Sequence, residues 1–191
     1  MVKTYKILVC GHVKSGKTSI IERLISDKIS ETYNQTIEDT YNFSIETDRH
    51  TKERIRIFDL GGTQLSVQAS SCYIEKHYLT NVDAIIMIHD LTNSEQSFKT
   101  IDLIKKDIDK SRDRREIMIY VICNKRDLVD IKKLESDSLY RWAVKEKVKV
   151  FDTTIEDRKT IIDAFVSIIS KLSQPQSKTG FPFVKKDQKF T

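Results

Sequence analysis

The chain has 191 residues and a formal net charge of +5, and 32% of its residues are charged while 39% are hydrophobic. This length and composition predict one globular domain and exclude a wholly disordered chain. The longest apolar run, from Ile117 to Cys123, is far shorter than the roughly 18 residues that a membrane span needs.

Along the chain, short apolar runs alternate with segments whose apolar residues recur at helical intervals. In chain order, the patterns predict strands at 4–10, 41–47, 52–59, 84–89, 117–123 and 148–151. They predict helices after Lys17 and at 94–111, 138–147 and 160–172. The strands at 41–47 and 52–59 are predicted to form an antiparallel hairpin. Because the other strands alternate with helices, the expected fold class is α/β, with a six-stranded, mostly parallel mixed sheet and helices on both faces.

The periodic pattern ends at Ser173, and Pro175 and Pro182 disfavour a further helix. We therefore predict a domain at 1–172 and a basic, proline-containing tail at 173–191. The charged residues of the tail, with a net charge of +3, are Lys178, Lys185, Lys186, Asp187 and Lys189. The domain then carries only +2 of the total +5, which is too little for a nucleic-acid groove.

Neither end of the chain shows a targeting or lipidation signal. The start lacks an apolar core before a cleavage site, and Val2 stands where myristoylation requires glycine. The last four residues contain no cysteine for prenylation. We expect a cytoplasmic protein without a lipid anchor of its own, without a nucleic-acid partner and monomeric when alone.

The segment from Gly11 to Thr18 matches the pattern G-x-x-x-x-G-K-[ST] between a predicted strand and a predicted helix. Gly11 and Gly16 let the loop fold tightly, so that backbone N–H groups point at phosphate oxygens. The start of the following helix adds a partial positive charge. Lys17 is expected to reach the β and γ phosphates, and the Thr18 hydroxyl to bind Mg²⁺.

Asp59 ends an apolar strand and is followed by Leu60 and two glycines, Gly61 and Gly62. An aspartate at a strand end is by itself more often a cap or turn residue. Together with a phosphate loop, it is expected to be a second Mg²⁺ ligand, either directly or through water.

Asn124, Lys125 and Asp127 form an Asn-Lys-x-Asp motif directly after a predicted buried strand. The Asp127 carboxylate can accept two hydrogens from the edge of guanine, which adenine cannot supply. A site built around this carboxylate rejects the wrong base, since the charge would be left unpaired. The motif has no function in a phosphate-loop kinase, which we regard as the disfavoured alternative.

These three motifs, in this order, resemble the Ras-like small GTPases over residues 4–172. The segment from Tyr33 to Tyr41 resembles the Ras effector loop, and Thr36 falls where that family binds Mg²⁺ and senses the γ-phosphate. Residues 152–155 occupy the place of the last base-contacting loop, where Ile155 and Glu156 replace the usual Ala and Lys.

Further segments resemble the κB-Ras branch of that family. They read SIETDR at 44–49, KKDIDKS at 105–111, EKVK at 146–149 and QPQSK at 174–178. The resemblance implies binding to IκB-type inhibitors and to the Ral GTPase-activating complex, with restraint of NF-κB and Ral signalling.

The resemblance implies a P-loop small-GTPase fold that binds GTP or GDP with Mg²⁺. The phosphates are expected at Gly11, Val13, Lys14, Ser15, Gly16, Lys17, Thr18, Ser19, Thr36 and Gly62. The base is expected at Ile29, Asn124, Lys125, Asp127, Thr154 and Ile155, and Mg²⁺ at Thr18, Thr36 and Asp59. The effector loop comprises Tyr33, Thr36, Ile37, Glu38, Asp39, Thr40 and Tyr41.

Two departures from Ras bear on hydrolysis, and the catalytic positions concerned are Gly62, Thr63 and Gln64. The family places a water-orienting Gln directly after the second-switch glycine, where this chain has Thr63. Gln64 takes that position only if the loop slips by one residue, an alternative that stays open. Val13 stands where Ras has Gly, and its branched side chain would exclude an arginine finger, which is worth about 10³ to 10⁵ in rate.

The base site also departs from Ras. Ile29 replaces a phenylalanine that stacks on the guanine, which costs on the order of 1–3 kcal/mol of affinity. We expect slow hydrolysis and fast exchange, which would leave the chain mostly GTP-bound. The alternative is a binding module that holds nucleotide without switching. His12 is expected to point to solvent and to have no catalytic function.

Overall fold

Six strands form one sheet among residues 3–26, 36–62, 74–110 and 117–174, which the computed structural model describes. The strands are β1 (Thr4–Gly11), β2 (Glu38–Glu46), β3 (Lys52–Leu60), β4 (Ala84–Asp90), β5 (Met118–Asn124) and β6 (Lys149–Asp152). The helices are α1 (Lys17–Ile25), α2 (Lys76–Asn81), α3 (Ser94–Lys110), α4 (Ile131–Ser136), α5 (Ser138–Glu146) and α6 (Arg158–Leu172). None of the helices described is long and apolar enough to cross a membrane.

The sheet has the strand order β2-β3-β1-β4-β5-β6. β2 pairs with β3 in antiparallel register, and every other neighbouring pair is parallel. The predicted α/β fold, a mixed and mostly parallel six-stranded sheet, is therefore confirmed. The carboxyl ends of β1, β3, β4 and β5 meet at one edge, and this edge carries the motifs found in the sequence.

Two apolar clusters cover the two faces of the sheet. On one face, Ile7 and Ile86 pack with residues of α1 and α6, among them Phe165. On the other face, Leu8 and Met87 pack with residues of α2, α3 and α5. All seven residues of β4 are buried, because the strand lies in the middle of the sheet and helices cover both its faces.

The structure differs from the sequence prediction at two short helices and one strand end. α2 and α4 have six residues each, which is too short for a helical period to stand out. β2 begins at Glu38, three residues before the predicted start at Tyr41. Residues 38–40 are all exposed and carry no strand pattern, but pairing with β3 extends the strand through them. Residues 38–41 of the predicted effector loop therefore lie on β2.

A buried polar group, Asp137, joins the end of β4 to the start of α5. Its carboxylate accepts a hydrogen bond from the Ser94 hydroxyl at 2.6 Å and one from the backbone N–H of Leu139 at 2.9 Å. The Nε2 atom of His89 lies 3.2 Å from the same carboxylate. Burial opposes ionisation of Asp137, but the hydrogen bonds outweigh it and lower the pKa to about 2. The ionised Asp137 therefore stabilises the fold.

We expect Asp137→Ala to lower the free energy of unfolding at pH 7 by about 2–4 kcal/mol, since it removes a helix cap and leaves buried donors unpaired. The lowered pKa means that this stabilisation is complete above pH 4 and is lost as the pH falls towards 2. Urea denaturation at pH 7 and at pH 3 would measure it. Asp163→Ala, at an exposed position on α6, is the control. A difference between wild type and Asp137→Ala that stays constant with pH would contradict the assignment.

Candidate nucleotide-binding site

The predicted phosphate loop joins β1 directly to α1. Lys14 and Gly16 have positive φ angles of 59° and 90°, so the backbone turns sharply just before the helix. A Cβ atom at Gly16 would also collide with the amide nitrogen of Asn124. Glycine is therefore required here by the backbone and by its neighbour. Ser19 lies in the first turn of α1 and is half-buried.

The Lys17 side chain is buried beneath the phosphate loop. Its Nζ donates hydrogen bonds to the carbonyl oxygens of His12, at 3.0 Å, and Gly11, at 3.5 Å. Burial lowers the pKa of Lys17, and the nearby Asp59 carboxylate partly opposes this. A buried cation among neutral carbonyls is suited to an anionic ligand.

The three predicted Mg²⁺ ligands lie together, although they come from three separate segments. The Thr18 hydroxyl donates to the Asp59 carboxylate at 2.6 Å, and its oxygen lies 2.9 Å from the Thr36 hydroxyl. Burial raises the pKa of Asp59, while the Thr18 hydrogen bond and Lys17 lower it. Three oxygens including one carboxylate form a donor set that Mg²⁺ prefers.

Buried oxygens without a hydrogen-bond partner gather at the same place. In the part of the chain that the structure describes, these include Ser15 Oγ, Asp59 Oδ1 and Asn124 Oδ1. Buried polar atoms are normally paired, so each of these atoms calls for an explanation. A bound nucleotide with its metal ion fits this arrangement, because it supplies both hydrogen-bonding groups and a cation.

The Asn-Lys-x-Asp motif is attached to the phosphate loop. Asn124 Nδ2 donates to the Ser15 carbonyl at 3.0 Å, and Lys125 Nζ donates to the Lys14 carbonyl at 3.1 Å. Two of the motif residues thereby hold the loop against the end of β5, and the predicted base-reading segment adjoins the predicted phosphate-binding segment.

The carboxylate of Asp127 is oriented by the last loop of the site. The Thr154 hydroxyl donates to Asp127 Oδ1 at 2.5 Å, and the backbone N–H of Glu156 donates to the Thr154 oxygen at 3.2 Å. Thr153 N–H in turn donates to the Cys123 carbonyl at 2.7 Å, which fixes the loop to β5. The predicted base residues Asn124, Lys125, Asp127 and Thr154 are thus brought together.

Asp90 also belongs to this site, although the sequence analysis did not single it out. Its carboxylate lies 2.6 Å from Lys125 Nζ and also accepts hydrogen bonds from Thr92. Burial opposes ionisation of Asp90, but the bonds from Lys125 and Thr92 outweigh it and lower its pKa. An aspartate directly after the apolar run at 84–89 is the same signal that identified Asp59.

Two arginines, also not predicted, hold the loop at Ile155 in place. Arg23 Nε donates to the Ile155 carbonyl at 3.0 Å. Arg158 donates to the carbonyls of Arg23, at 2.8 Å, and Leu24, at 3.0 Å. These contacts join the end of α1, the base loop and the start of α6. They support the loop where its sequence departs most from the Ras pattern.

We expect Arg23→Ala to raise the dissociation rate of guanine nucleotide about tenfold, because a charge-assisted hydrogen bond to the base loop is worth roughly 1.5 kcal/mol. Release of a fluorescent GDP analogue would measure the rate. Arg158→Ala should act in the same direction, whereas Lys159→Ala, at an exposed neighbouring position, should not. Equal rates for all three variants would refute the supporting function of the arginines.

The effector segment from Thr36 to Tyr41 is largely exposed. The Ile37 side chain is 91% exposed, and residues 38–40 are also exposed. The Ile37 carbonyl accepts a hydrogen bond from the backbone N–H of Gly61 at 2.8 Å. Burial, with the nearby carboxylate of Asp59, raises the pKa of Tyr41 to about 12. The segment is therefore exposed to a partner, and it is also hydrogen-bonded to the first of the two glycines that follow β3.

Gly62 packs directly against the phosphate loop at Val13. A Cβ atom at Gly62 would collide with the Val13 backbone and would lie 2.8 Å from Lys17 Nζ. Val13, one of the two predicted departures from Ras, therefore adjoins Gly62, which also lies close to Lys17.

Four predicted site residues lie outside the described part of the chain, namely Ile29, Tyr33, Thr63 and Gln64. The tail is likewise outside it from residue 175 onward. The prediction that His12 points to solvent was wrong. Its side chain is buried, and Nδ1 lies 3.1 Å from the Thr100 hydroxyl of α3. The sequence of α3 gave no indication that this helix would cover the phosphate loop.

Comparison with known proteins agrees with this geometry. A protein-family model described as the Ras family matches residues 6–174. NF-kappa-B inhibitor-interacting Ras-like protein 1 from Mus musculus is 40% identical over 184 residues, covering 95% of this chain and 93% of that protein. NF-kappa-B inhibitor-interacting Ras-like protein 2 from Gallus gallus is 36% identical over 190 residues, covering 98% and 96%. The chain belongs to the Ras family and is related over nearly its whole length to these Ras-like proteins.

Proposed function

We propose that this Ras-like GTPase binds GTP and GDP with Mg²⁺, hydrolyses GTP slowly and signals through the segment from Thr36 to Tyr41. The contact of Thr18 with both Asp59 and Thr36 carries the proposal, because it joins the phosphate loop to the effector segment and to the end of β3. Mg²⁺ held by these oxygens would neutralise charge on the phosphates.

Each part of the nucleotide has its own contacts in this proposal. Lys17 and the backbone of the phosphate loop bind the phosphates, and Asp127, oriented by Thr154, selects guanine. Asn124 and Lys125 hold the base-binding and the phosphate-binding parts of the site together. Slow hydrolysis follows from Thr63, which is too short to hold the attacking water, and from Val13, which crowds the approach of an arginine finger.

The proposed partners are proteins. The relatives are named for interaction with an NF-kappa-B inhibitor, and by this relationship we propose inhibitors of that type as partners of this chain. The resemblance to the κB-Ras branch adds the Ral GTPase-activating complex, with restraint of NF-κB and Ral signalling in the cytoplasm. The exposed residues Ile37, Glu38 and Asp39 supply a surface for such a partner. The position of this surface depends on the neighbouring Thr36, which belongs to the proposed Mg²⁺ site.

The first test of this proposal is to identify the nucleotide that the purified protein carries. Fresh protein is denatured, and the released nucleotide is identified by ion-exchange chromatography. Mostly GTP supports slow hydrolysis, whereas mostly GDP shows that turnover survives Val13 and Thr63. A guanine-free preparation that also fails to bind added GDP would contradict the proposal.

A second candidate function is a binding module that holds nucleotide without switching. The close packing of Gly62 on Val13 and Lys17 favours it, because a change of position at Gly62 would break this contact. The two candidates differ in partner binding. A switch binds its partner more tightly in one nucleotide state, while a static module binds equally with GDP and with a non-hydrolysable GTP analogue.

A further inference from the structure

A row of basic side chains lies on β3 and β1, two neighbouring strands near one edge of the sheet. Arg56 of β3 is in register with Lys6 of β1, and Arg54 is in register with Thr4. Residues in register share a face of the sheet, and so do residues two apart along a strand. Lys52, Arg54, Arg56 and Lys6 therefore lie on one face, which we name the basic face.

The basic face is not covered by any helix of the described chain. The helix-packed part of this side of the sheet begins at Phe58 and Leu8, nearer the nucleotide site. Lys52, Arg54 and Arg56 are exposed. In the regions that the structure describes, none of the three makes an ion pair, and Arg56 donates only to the Asn42 side chain, at 2.9 Å.

Acidic groups on this side are few. Glu46 is in register with Lys52 at the end of the hairpin. Asp83, at the margin, accepts a hydrogen bond from the Lys6 backbone N–H at 2.9 Å and lies 3.9 Å from Lys3 Nζ. Positive charge therefore dominates the face.

We propose that the basic face binds an acidic segment of a protein partner. This inference deepens the proposed function, since it rests on the chain acting through protein partners. Exposed guanidinium groups pair with carboxylates through two parallel hydrogen bonds. Arg54 and Arg56 present two such groups two residues apart on one strand, about 6.6 Å along its axis.

The chemistry around the face favours a peptide over a membrane or a nucleic acid. The neighbours Thr4, Asn42 and Ser44 are small or polar, so the face offers no large apolar side chain for insertion into lipid. The low net charge of the domain argues against a nucleic-acid groove.

The position of the face makes its contribution independent of the bound nucleotide. Arg54 and Arg56 lie on β3, which is paired on both sides by β1 and β2. The Thr36 hydroxyl, by contrast, belongs to the proposed Mg²⁺ site. The surface that a partner contacts therefore has two parts. The effector segment beside Thr36 depends on the nucleotide state, whereas the basic face contributes equally in both states and its contribution is weakened by salt.

Binding of a fluorescein-labelled deca-glutamate peptide, followed by anisotropy, tests the face directly. At 50 mM salt, Arg54→Glu/Arg56→Glu is expected to bind at least tenfold more weakly than wild type. The control Lys132→Glu/Lys133→Glu makes the same charge change at exposed positions on α4 and is expected to stay within twofold. GDP-loaded and GTP-analogue-loaded protein should give the same result, and 300 mM salt should abolish the difference.

Loss of peptide binding in the control as well as in the face variant would overturn the proposal. Binding only to vesicles with phosphatidylserine, or only to duplex DNA, would also overturn it. Arg54→Gln/Arg56→Gln, which avoids new negative charge, gives the same test if the glutamate variant fails to fold. A purified NF-kappa-B inhibitor protein is assayed in parallel. If it fails to bind while the peptide binds through the face, the proposed partner is wrong but the face stands.

Discussion

Replacing Asp127 with asparagine is expected to weaken GDP binding by about 10⁴-fold and to create binding of xanthosine diphosphate. The Asp127 carboxylate, fixed by Thr154, would accept two hydrogens from guanine. An asparagine offers one acceptor and one donor, which matches the edge of xanthine but opposes the amino group of guanine. Competition with a fluorescent GDP analogue measures both affinities.

Asp130→Asn is the matched control for this change. Asp130 is exposed three residues further along and caps α4 through the Lys133 N–H, and asparagine caps a helix equally well. Its GDP affinity should therefore equal that of wild type. A GDP affinity of Asp127→Asn within tenfold of wild type would show that guanine is not recognised by this carboxylate.

The second large effect is expected from restoring the hydrolytic positions, in the double variant Val13→Gly/Thr63→Gln. A glutamine after Gly62 can orient the attacking water, which we expect to raise intrinsic single-turnover GTP hydrolysis about 10²-fold. The glycine removes the branched side chain at a position whose backbone packs against Gly62, and so opens space for an arginine finger. When a GTPase-activating protein of Ras is added, we expect the rate of GTP hydrolysis by the double variant to rise by a further factor of about 10³ to 10⁵.

Single variants separate the two contributions. Thr63→Gln alone should raise intrinsic hydrolysis without response to the activating protein, since Val13 still crowds the site. Gln64→Ala tests the slipped loop, because it slows hydrolysis only if Gln64 orients the water in the wild type. Phosphate release from preloaded protein measures all of these rates. Wild-type hydrolysis as fast as that of Thr63→Gln would refute the assignment of slow turnover to Thr63.

Contacts within a motif were predictable from the sequence, and contacts between distant segments were not. Lys17, Thr18 and Asn124 stand in local patterns whose chemistry is known, so their types and spacing indicated a nucleotide site. The Lys125–Asp90 pair spans 35 positions and the Arg158–Arg23 contact spans 135. No period or spacing encodes such distances, because they depend on how strands are ordered in the sheet.

His12 shows the same limit within a motif. A histidine in a polar loop is expected to face water when only its neighbours in sequence are considered. In the fold, α3 covers the loop, and the ring of His12 meets the Thr100 hydroxyl 88 residues away. Burial is a property of the packed chain, so the local pattern predicted the loop correctly and the environment of this side chain wrongly.

By itself, the sequence determined the alternation of strands and helices, the phosphate loop and the guanine motif. Each of these depends on residues within one strand, one turn or one helix, whose periodicity and steric preferences are local. The resemblance to the Ras-like GTPases implied one Mg²⁺ site at Thr18, Thr36 and Asp59, but the contacts among them, and the position of Lys6 beside Arg56, come from the tertiary structure. Both follow from the strand order β2-β3-β1, in which β1 pairs with a strand some fifty residues later in the chain. Such pairing is selected because it buries the whole sheet between helices. No single segment of the sequence carries the information for that burial.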